Sequence, residues 1–290
     1  MELILYFLLG GCISVLSGFF GVGGGFILTP ILMLIGFSPL EAITTSLLFT
    51  IGTSLSGITA HIRLKNVLWK EGLILGISGM AATQIAKPFV LFLENKGWDE
   101  LAIPIFYILL LSYFALTMLK QGKKSQAKGD IPATSPSIIK MVFIGLFAGM
   151  VSTTLGVGGG FIMVPLSIAF LGLLPKKAVG TSLFAVLLIV SVGFLSYAFT
   201  VTIDYRIGLL LVAGGLIGSQ FGARLIMFYE NKEISILLGG LYIATLMSVA
   251  LKLAGLSYAG LILLAIFIGI FFIRSIIKIR VKKRAQAANK

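Results

Sequence analysis

The sequence predicts an all-α polytopic membrane protein: two inverted-topology repeats, each a Gly-rich re-entrant hairpin plus three transmembrane helices, and one extra C-terminal helix. Three observations carry this expectation. Of the 290 residues, 58% are hydrophobic and 11% charged, more apolar surface than a soluble domain of this size can cover with polar groups. The heptapeptide GVGGGFI stands at Gly21–Ile27 and again at Gly156–Ile162, and each copy is followed at the same distance by a proline, Pro30 and Pro165. Lys and Arg concentrate between the apolar stretches and in the C-terminal tail, as basic residues do on the cytoplasmic side of a membrane. The alternating pattern of an outer-membrane barrel is absent.

The chain opens on an apolar run with no Lys or Arg before it, which reads as a first membrane segment rather than a cleaved leader. That segment ends at the first glycine string. The limb beyond the glycines holds about 12 residues, near 18 Å as helix, too short to cross the roughly 30 Å hydrocarbon core. Spans are expected at about 42–60, 71–93 and 101–119. The second half repeats this plan. With a shift of 136 residues, Thr45-Ser46-Leu47 meets Thr181-Ser182-Leu183, Gly72-Leu73 meets Gly208-Leu209, Gln84 meets Gln220, and Glu94-Asn95-Lys96 meets Glu230-Asn231-Lys232. Its spans fall at about 178–199, 206–228 and 234–251, with an unpaired one at about 258–279.

These patterns divide the chain into a first repeat at 1–119, a linker at 120–140, a second repeat at 141–252, and an extra helix with a basic tail at 253–290. The linker (Lys120, Lys123, Lys124, Lys128, Lys140) and the tail (Arg274, Lys278, Arg280, Lys282, Lys283, Arg284, Lys290) are assigned to the cytoplasm. Pro39-Leu40-Glu41 then lies outside, whereas its counterpart Pro175-Lys176-Lys177 carries two lysines and lies inside. The halves are thus expected to be inverted, with one glycine hairpin entering from each face. Whether the first limb of each hairpin crosses fully stays open and does not alter the sidedness.

Non-helical backbone inside a bilayer survives only where protein or a water-filled cavity satisfies its polar groups. Gly21, Gly23, Gly24 and Gly25, with Gly156, Gly158, Gly159 and Gly160, can take positive φ and let the backbone approach a ligand. Helices beginning at Phe26 and Phe161 would aim free N–H groups and a positive dipole end at the membrane centre. Two such ends make an anion site built of backbone. The rival reading is that the glycines only permit close helix packing; their duplication, the prolines and the half-length limbs favour a site. Thr45 and Ser46, and Thr181 and Ser182, begin the next helix of each half and either offer hydroxyls to the anion or cap and pack those helices. Gln84 and Gln220 offer amide donors at matched depth, or interhelical hydrogen bonds. Lys87 and Arg224 read as side chains snorkelling to the headgroups. No Lys-Ser/Thr follows the glycines, so the string is not a nucleotide loop.

Other chemistry is limited by what the sequence holds. The ten Asp and Glu residues fall at segment ends or in loops, which leaves no carboxylate as a proton carrier in mid-membrane. The single histidine, His61, ends a span beside Arg63 and is expected in a loop or interface. One cysteine, Cys12, precludes an intramolecular disulfide. Neither a metal site nor a catalytic constellation can be assembled, and no cofactor is called for. The net charge of +13 sits in loops and tail, so it orients the chain in a bilayer and does not point to nucleic acid. The expected partners are a small anion and the lipid bilayer, with a homo-oligomer left open.

SGFFGVGGGFILTPIL in the first half and GVGGGFIMVP in the second resemble the sulfite exporter TauE/SafE family, also called the toluene sulfonate uptake permease family. AHIRLKNV and GSQFGARL share the likeness, which covers nearly the whole chain. The resemblance implies a multi-pass transporter, not an enzyme, in the cell inner membrane or plasma membrane with its C-terminus cytoplasmic. It implies export of small inorganic or organic sulfur anions, sulfite or organosulfonates, through the site between the glycine tips. The alternative is a passive anion channel or an uptake permease for the same substrates.

Overall fold

The structure, a computed structural model, describes residues 2–124 and 137–288. Most of the basic linker, including Lys128, and the last tail residue, Lys290, lie outside the described residues. Those described fold entirely as helix and short connections. The order is α1 (Glu2–Phe20), α2 (Gly25–Leu34), α3 (Pro39–Arg63), α4 (Trp69–Asn95), α5 (Asp99–Lys124), α6 (Ile138–Leu155), α7 (Gly160–Phe170), α8 (Pro175–Ala198), α9 (Tyr205–Leu225), α10 (Asn231–Leu253) and α11 (Ser257–Ala288), with one 3₁₀ turn at Ile226–Phe228 before α10. Nine of these are long and apolar enough to cross a membrane; α2 and α7 are the exceptions. The helices before the glycine strings, α1 and α6, reach spanning length at 19 and 18 residues, while the helices after them, α2 and α7, of 10 and 11 residues, extend only about 15 Å.

Helix starts follow from local chemistry. Ser38 caps α3 in a reciprocal box: its hydroxyl accepts from the Glu41 N–H, and the Glu41 carboxylate accepts from the Ser38 N–H at 3.1 Å. Pro39 sits at the first helical position, and Pro175 does the same for α8, where a missing N–H costs nothing. Asp204 caps α9, accepting from the N–H groups of Arg206 and Ile207. Glu230 and Glu233 form a second box at the start of α10. Acidic groups thus cluster where helix dipoles are positive. Among the described residues every Asp and Glu lies within a turn of a helix end.

Packing is reciprocal between the halves. α1 lies along α9 while α6 lies along α4; α3 packs on α8 and α9, and α8 packs on α3 and α4; α5 meets α10. Each of these contacts maps onto another, or onto itself, when the halves are exchanged. Small residues bring these helices to backbone distance. A Cβ at Gly149 would fall on the carbonyl oxygen of Gly79, and one at Gly218 on the carbonyl oxygen of Gly11, the close approach that membrane helices use in place of a hydrophobic driving force. The helix α11 lies outside the duplication and packs against α10, α2 and the 3₁₀ turn. Outward faces are apolar, with Ile85 and Phe143 exposed, as lipid requires.

Replacing Gly149 by Val should therefore destabilise the fold by at least about 1–3 kcal/mol through overpacking, lowering the thermal midpoint of the detergent-solubilised protein. Gly269→Ala, on α11 with nothing within 4 Å of the added carbon, should leave it unchanged.

Candidate functional site

The two glycine strings lie side by side and run antiparallel. A Cβ on Gly25 would meet the carbonyl of Gly156, and one on Gly160 would meet the carbonyl of Gly21. Between these ends, Gly23 and Gly158 both face the same two side chains: Thr50 Cγ2 is 2.9 and 2.8 Å from their would-be Cβ atoms, and Val186 Cγ1 is 3.3 and 3.2 Å away. Thr50 on α3 and Val186 on α8 are themselves repeat partners. Gly21, Gly23, Gly156, Gly158 and Gly159 hold φ between 69° and 78°, the left-handed region that side chains resist. Gly24, Gly25 and Gly160 depart from the expectation, since none holds positive φ: Gly24 has a φ of −65°, open to any residue, and what excludes a side chain is the Phe49 ring at Gly24 and the carbonyls of Gly156 and Gly21 at Gly25 and Gly160. Residues 21–34 and 156–167 are all buried.

Peptide groups at Gly21, Gly25 and Gly156 are satisfied from the opposite half or the next helix. The Gly25 N–H donates to Thr50 Oγ1 at 2.8 Å, and that hydroxyl donates to the Ser46 carbonyl at 2.7 Å. Thr29 Oγ1 donates to the Gly156 carbonyl at 3.2 Å. Ser182 Oγ lies 2.8 Å from the Gly21 carbonyl and 2.9 Å from that of Val179, sharing one proton between them. At the place equivalent to Thr50 the second half has Val186, which supplies no oxygen to the start of α7.

Among the described residues the buried hydroxyls without partners are Ser17, Ser46, Ser54, Ser152, Thr153 and Ser248, and His61 Nδ1 is a further unpartnered atom. Ser17 and Ser152 lie within a turn of the glycine strings. Ser17 and Ser152 occupy matching places in the last turns of α1 and α6, and their carbonyls accept from the Gly21 and Val157 N–H groups. A buried polar atom left unpaired costs about 1–3 kcal/mol, so a concentration of them asks for a reason.

Of the residues singled out from sequence, the eight glycines and Ser46 and Ser182 come together here. Thr45, Ser46, Thr181 and Ser182 do not begin their helices as expected: α3 starts at Pro39 and α8 at Pro175, and Thr45 is buried about two turns inside α3. Thr181 Oγ1 accepts from the Leu68 N–H at 3.0 Å, closing the turn before α4. The glutamines are not brought to the strings. Gln84 is exposed and its amide donates to Thr83 Oγ1 at 3.3 Å, while Gln220 lines a surface hollow with Leu216, Phe221 and Arg224. Equal depth in the repeat told nothing of which helix face they occupy. Sequence reasoning passed over Thr50, Val186, Thr29, Ser17 and Ser152, although Thr50/Val186 and Ser17/Ser152 were available as repeat pairs.

His61 is also placed differently from expectation. It is fully buried, not in a loop, and its Nε2 bonds the Gly18 carbonyl at 2.9 Å. A carbonyl only accepts, so the proton sits on Nε2 and leaves Nδ1 a bare acceptor. Its repeat partner is Tyr197, whose hydroxyl donates to the Thr153 carbonyl at 3.2 Å, the position matching Gly18. Both side chains pin the last turn before a glycine string.

Membrane-length helices packed around two buried, non-helical glycine strings define a multi-pass membrane protein of the transporter type. The chain belongs to the sulfite exporter TauE/SafE family, whose profile matches residues 6–251. It is 29% identical over 252 residues to the probable membrane transporter protein YunE of Bacillus subtilis, covering 81% of this chain and 92% of that protein. A probable membrane transporter protein of Haemophilus influenzae is 30% identical over 205 residues, 67% of this chain and 73% of that one. One from Methanocaldococcus jannaschii is 26% identical over 258 residues, 83% and 92% of the two chains. No solved structure matches. Membership makes this protein a membrane transporter and not an enzyme.

Thr50 is the side chain on which the strings converge. Thr50→Val should leave the Gly25 N–H unsatisfied and cost about 1–3 kcal/mol, seen as a lowered thermal midpoint, whereas Thr50→Ser, which keeps the oxygen, should recover most of the loss.

Proposed function

We propose that the protein exports small sulfur-containing anions, sulfite or organosulfonates, bound between the glycine strings by backbone N–H groups and the surrounding hydroxyls. The observation that carries this reading is the set of buried, unpartnered hydroxyls beside two helix N-termini. Hydroxyls and N-terminal N–H groups are donors, the start of α7 receives no side-chain acceptor from Val186, and donors in excess suit an oxyanion. Sulfite is the substrate that the family description names, and organosulfonates share its oxyanion group.

In this reading the halves, 1–119 and 141–252, are inverted repeats, and α1–α2 and α6–α7 are re-entrant hairpins. The linker at 120–140 and the tail within 253–290 are cytoplasmic. Antiparallel strings, reciprocal packing and the matched His61 and Tyr197 bonds support a two-fold relation between halves. An odd number of spans in the first half, three beyond the hairpin, would then reverse the second. Alternating access would move one half against the other around the strings.

With acidic groups confined to helix ends, the reading needs no protein-borne proton carrier. An anion leaving a cell with a negative interior gains about 2.3 kcal/mol per charge per 100 mV, so export can run on the membrane potential.

The deciding experiment is sulfite efflux from proteoliposomes with a potassium-set potential and clamped pH. Efflux should saturate, accelerate with the potential, and fall at least about tenfold in Gly159→Val, which combines forbidden φ with loss of the close approach. Potential-independent efflux that follows an imposed pH gradient would refute the energetics, and unchanged flux in Gly159→Val would refute the site. Sidedness is tested separately in a Cys12→Ser background. Lys96→Cys and its repeat partner Lys232→Cys should react with an impermeant reagent from opposite faces; labelling from the same face would show the halves to be parallel.

A further inference from the structure

The two glycine strings are spelled alike and built differently. GVGGGFI is the same seven residues at Gly21–Ile27 and at Gly156–Ile162, so local propensity is equal in both. At two matched places the backbones agree: φ is 69° at Gly21 and at Gly156, and 75° and 78° at Gly23 and Gly158. At the next they part. Gly24 is right-handed, with φ −65° and ψ −26°, whereas its partner Gly159 is left-handed, with φ 74° and ψ −15°. Each of these glycines starts a helix, and each carbonyl accepts from the N–H groups three and four residues on, Ile27 and Leu28 in α2, Ile162 and Met163 in α7. The same string thus closes onto its helix in two ways. Glycine adopts either hand about equally readily, so the surroundings decide between them.

Those surroundings differ at one bond. After right-handed Gly24, the Gly25 N–H donates to Thr50 Oγ1 at 2.8 Å. After left-handed Gly159, the side chain at the matched place is Val186, which has no oxygen to offer. The tie and the right-handed form go together.

A second matched pair differs as well, although its residues are identical. Ser182 Oγ lies 2.8 Å from the Gly21 carbonyl, while Ser46 Oγ is buried without a partner. Their placements correspond. A Cβ on Gly21 would stand 2.7 Å from Val179 Cα, and one on Gly156 2.6 Å from Ile43 Cα, and these lie three residues before Ser182 and Ser46. The carbonyl that Ser46 would take is therefore that of Gly156, which accepts from Thr29 Oγ1 instead. That same carbonyl packs against Gly25, so it touches the string that Gly24 turns.

We propose that Gly24 is a two-position backbone switch, held right-handed by the Thr50 tie and turning left-handed, as Gly159 is, when the tie lets go. Ser46 then takes the Gly156 carbonyl as Ser182 holds that of Gly21. Rotation at φ re-aims the Gly23–Gly24 peptide against α2, and with it the Gly24 N–H, so the turn changes which donors the string offers. This rests on reading the strings as the anion site. Transport then requires both hands at Gly24, a demand that space alone does not make.

The first test is a crystal structure of full-chain Thr50→Val, resolved well enough to fix peptide planes. Gly24 should have moved to positive φ, near the value at Gly159, with Ser46 Oγ within hydrogen-bond distance of the Gly156 carbonyl. A φ still near −65° overturns the switch, and a Ser46 hydroxyl still without a partner overturns its part in it.

The second test separates hand from bulk. Phe49→Ala removes the ring that a Cβ on Gly24 would strike. In that background Gly24→Ala keeps the right-handed form, while Gly24→Asn also tolerates the left-handed one. Sulfite flux in proteoliposomes should fall about tenfold or more in the alanine variant, the penalty an ordinary side chain meets in the left-handed region. The asparagine variant should stay within about threefold of its Phe49→Ala parent, and both should keep the parent's thermal midpoint. Equal flux in the two variants, high or low, overturns the switch. If Phe49→Ala does not fold, or if the wild type moves no sulfite, the Thr50→Val structure alone decides on the switch; in the latter case the substrate reading falls whatever that structure shows.

Discussion

A peptide group that leaves the helix inside a bilayer has no water to turn to. Each half of this protein interrupts its helices at a glycine string, and the rest of the architecture answers that interruption. The strings are laid against each other, each within contact of the other's carbonyls, and Thr50, Thr29 and Ser182 supply the hydrogen bonds the strings cannot make themselves. Neither string could stand alone in this form, because half of its walls belong to the other repeat. Reciprocal packing of α1 on α9 and α6 on α4 is what holds the two in register.

That dependence gives His61 and Tyr197 their roles. Both tie the end of a long helix to the helix that follows its hairpin, through a carbonyl just ahead of the glycines. A histidine in the membrane invites a proton-relay reading, yet the equivalent position does the same structural task with a phenol. The shared contact is a donor to a carbonyl, and titration is no part of it.

Much of this was legible in the sequence. Spans emerged from apolar length and the second limbs from being too short; the helix starts did not, since Thr45 and Thr181, read as opening α3 and α8, lie about two turns inside helices that begin at Pro39 and Pro175. Internal repetition did more than any single motif, since it marked the strings as a pair. What it could not show was facing. A repeat tells that Gln84 and Gln220 are equivalent, but both can be equivalently outside, and they are. Nor could it show that the strings run past one another, since that depends on how two distant segments pack. Gly24 was read as a positive-φ residue because it sits among others that are; its constraint is the Phe49 ring, a contact 25 positions along the chain that no local pattern reports. Thr50 was overlooked because its partner is a valine, and a search for matched polar pairs discards such a position.

That mismatch has a consequence for the symmetry between the two strings. In a dimer of identical chains, the residue nearest the symmetry axis must face its own copy, and the cradle between them would be the same on both flanks. Joining the two units in one chain lifts this requirement, and here the axis is bordered by a hydroxyl-bearing Thr50 on one flank and the isosteric, apolar Val186 on the other. Both turn a methyl group to Gly23 and Gly158, so the middle of the pair stays nearly symmetric, while the Thr50 hydroxyl binds only the Gly25 N–H and the Ser46 carbonyl. The two helix starts are thereby made chemically unlike: α2 begins on a peptide held by a side chain, and α7 begins without that tie.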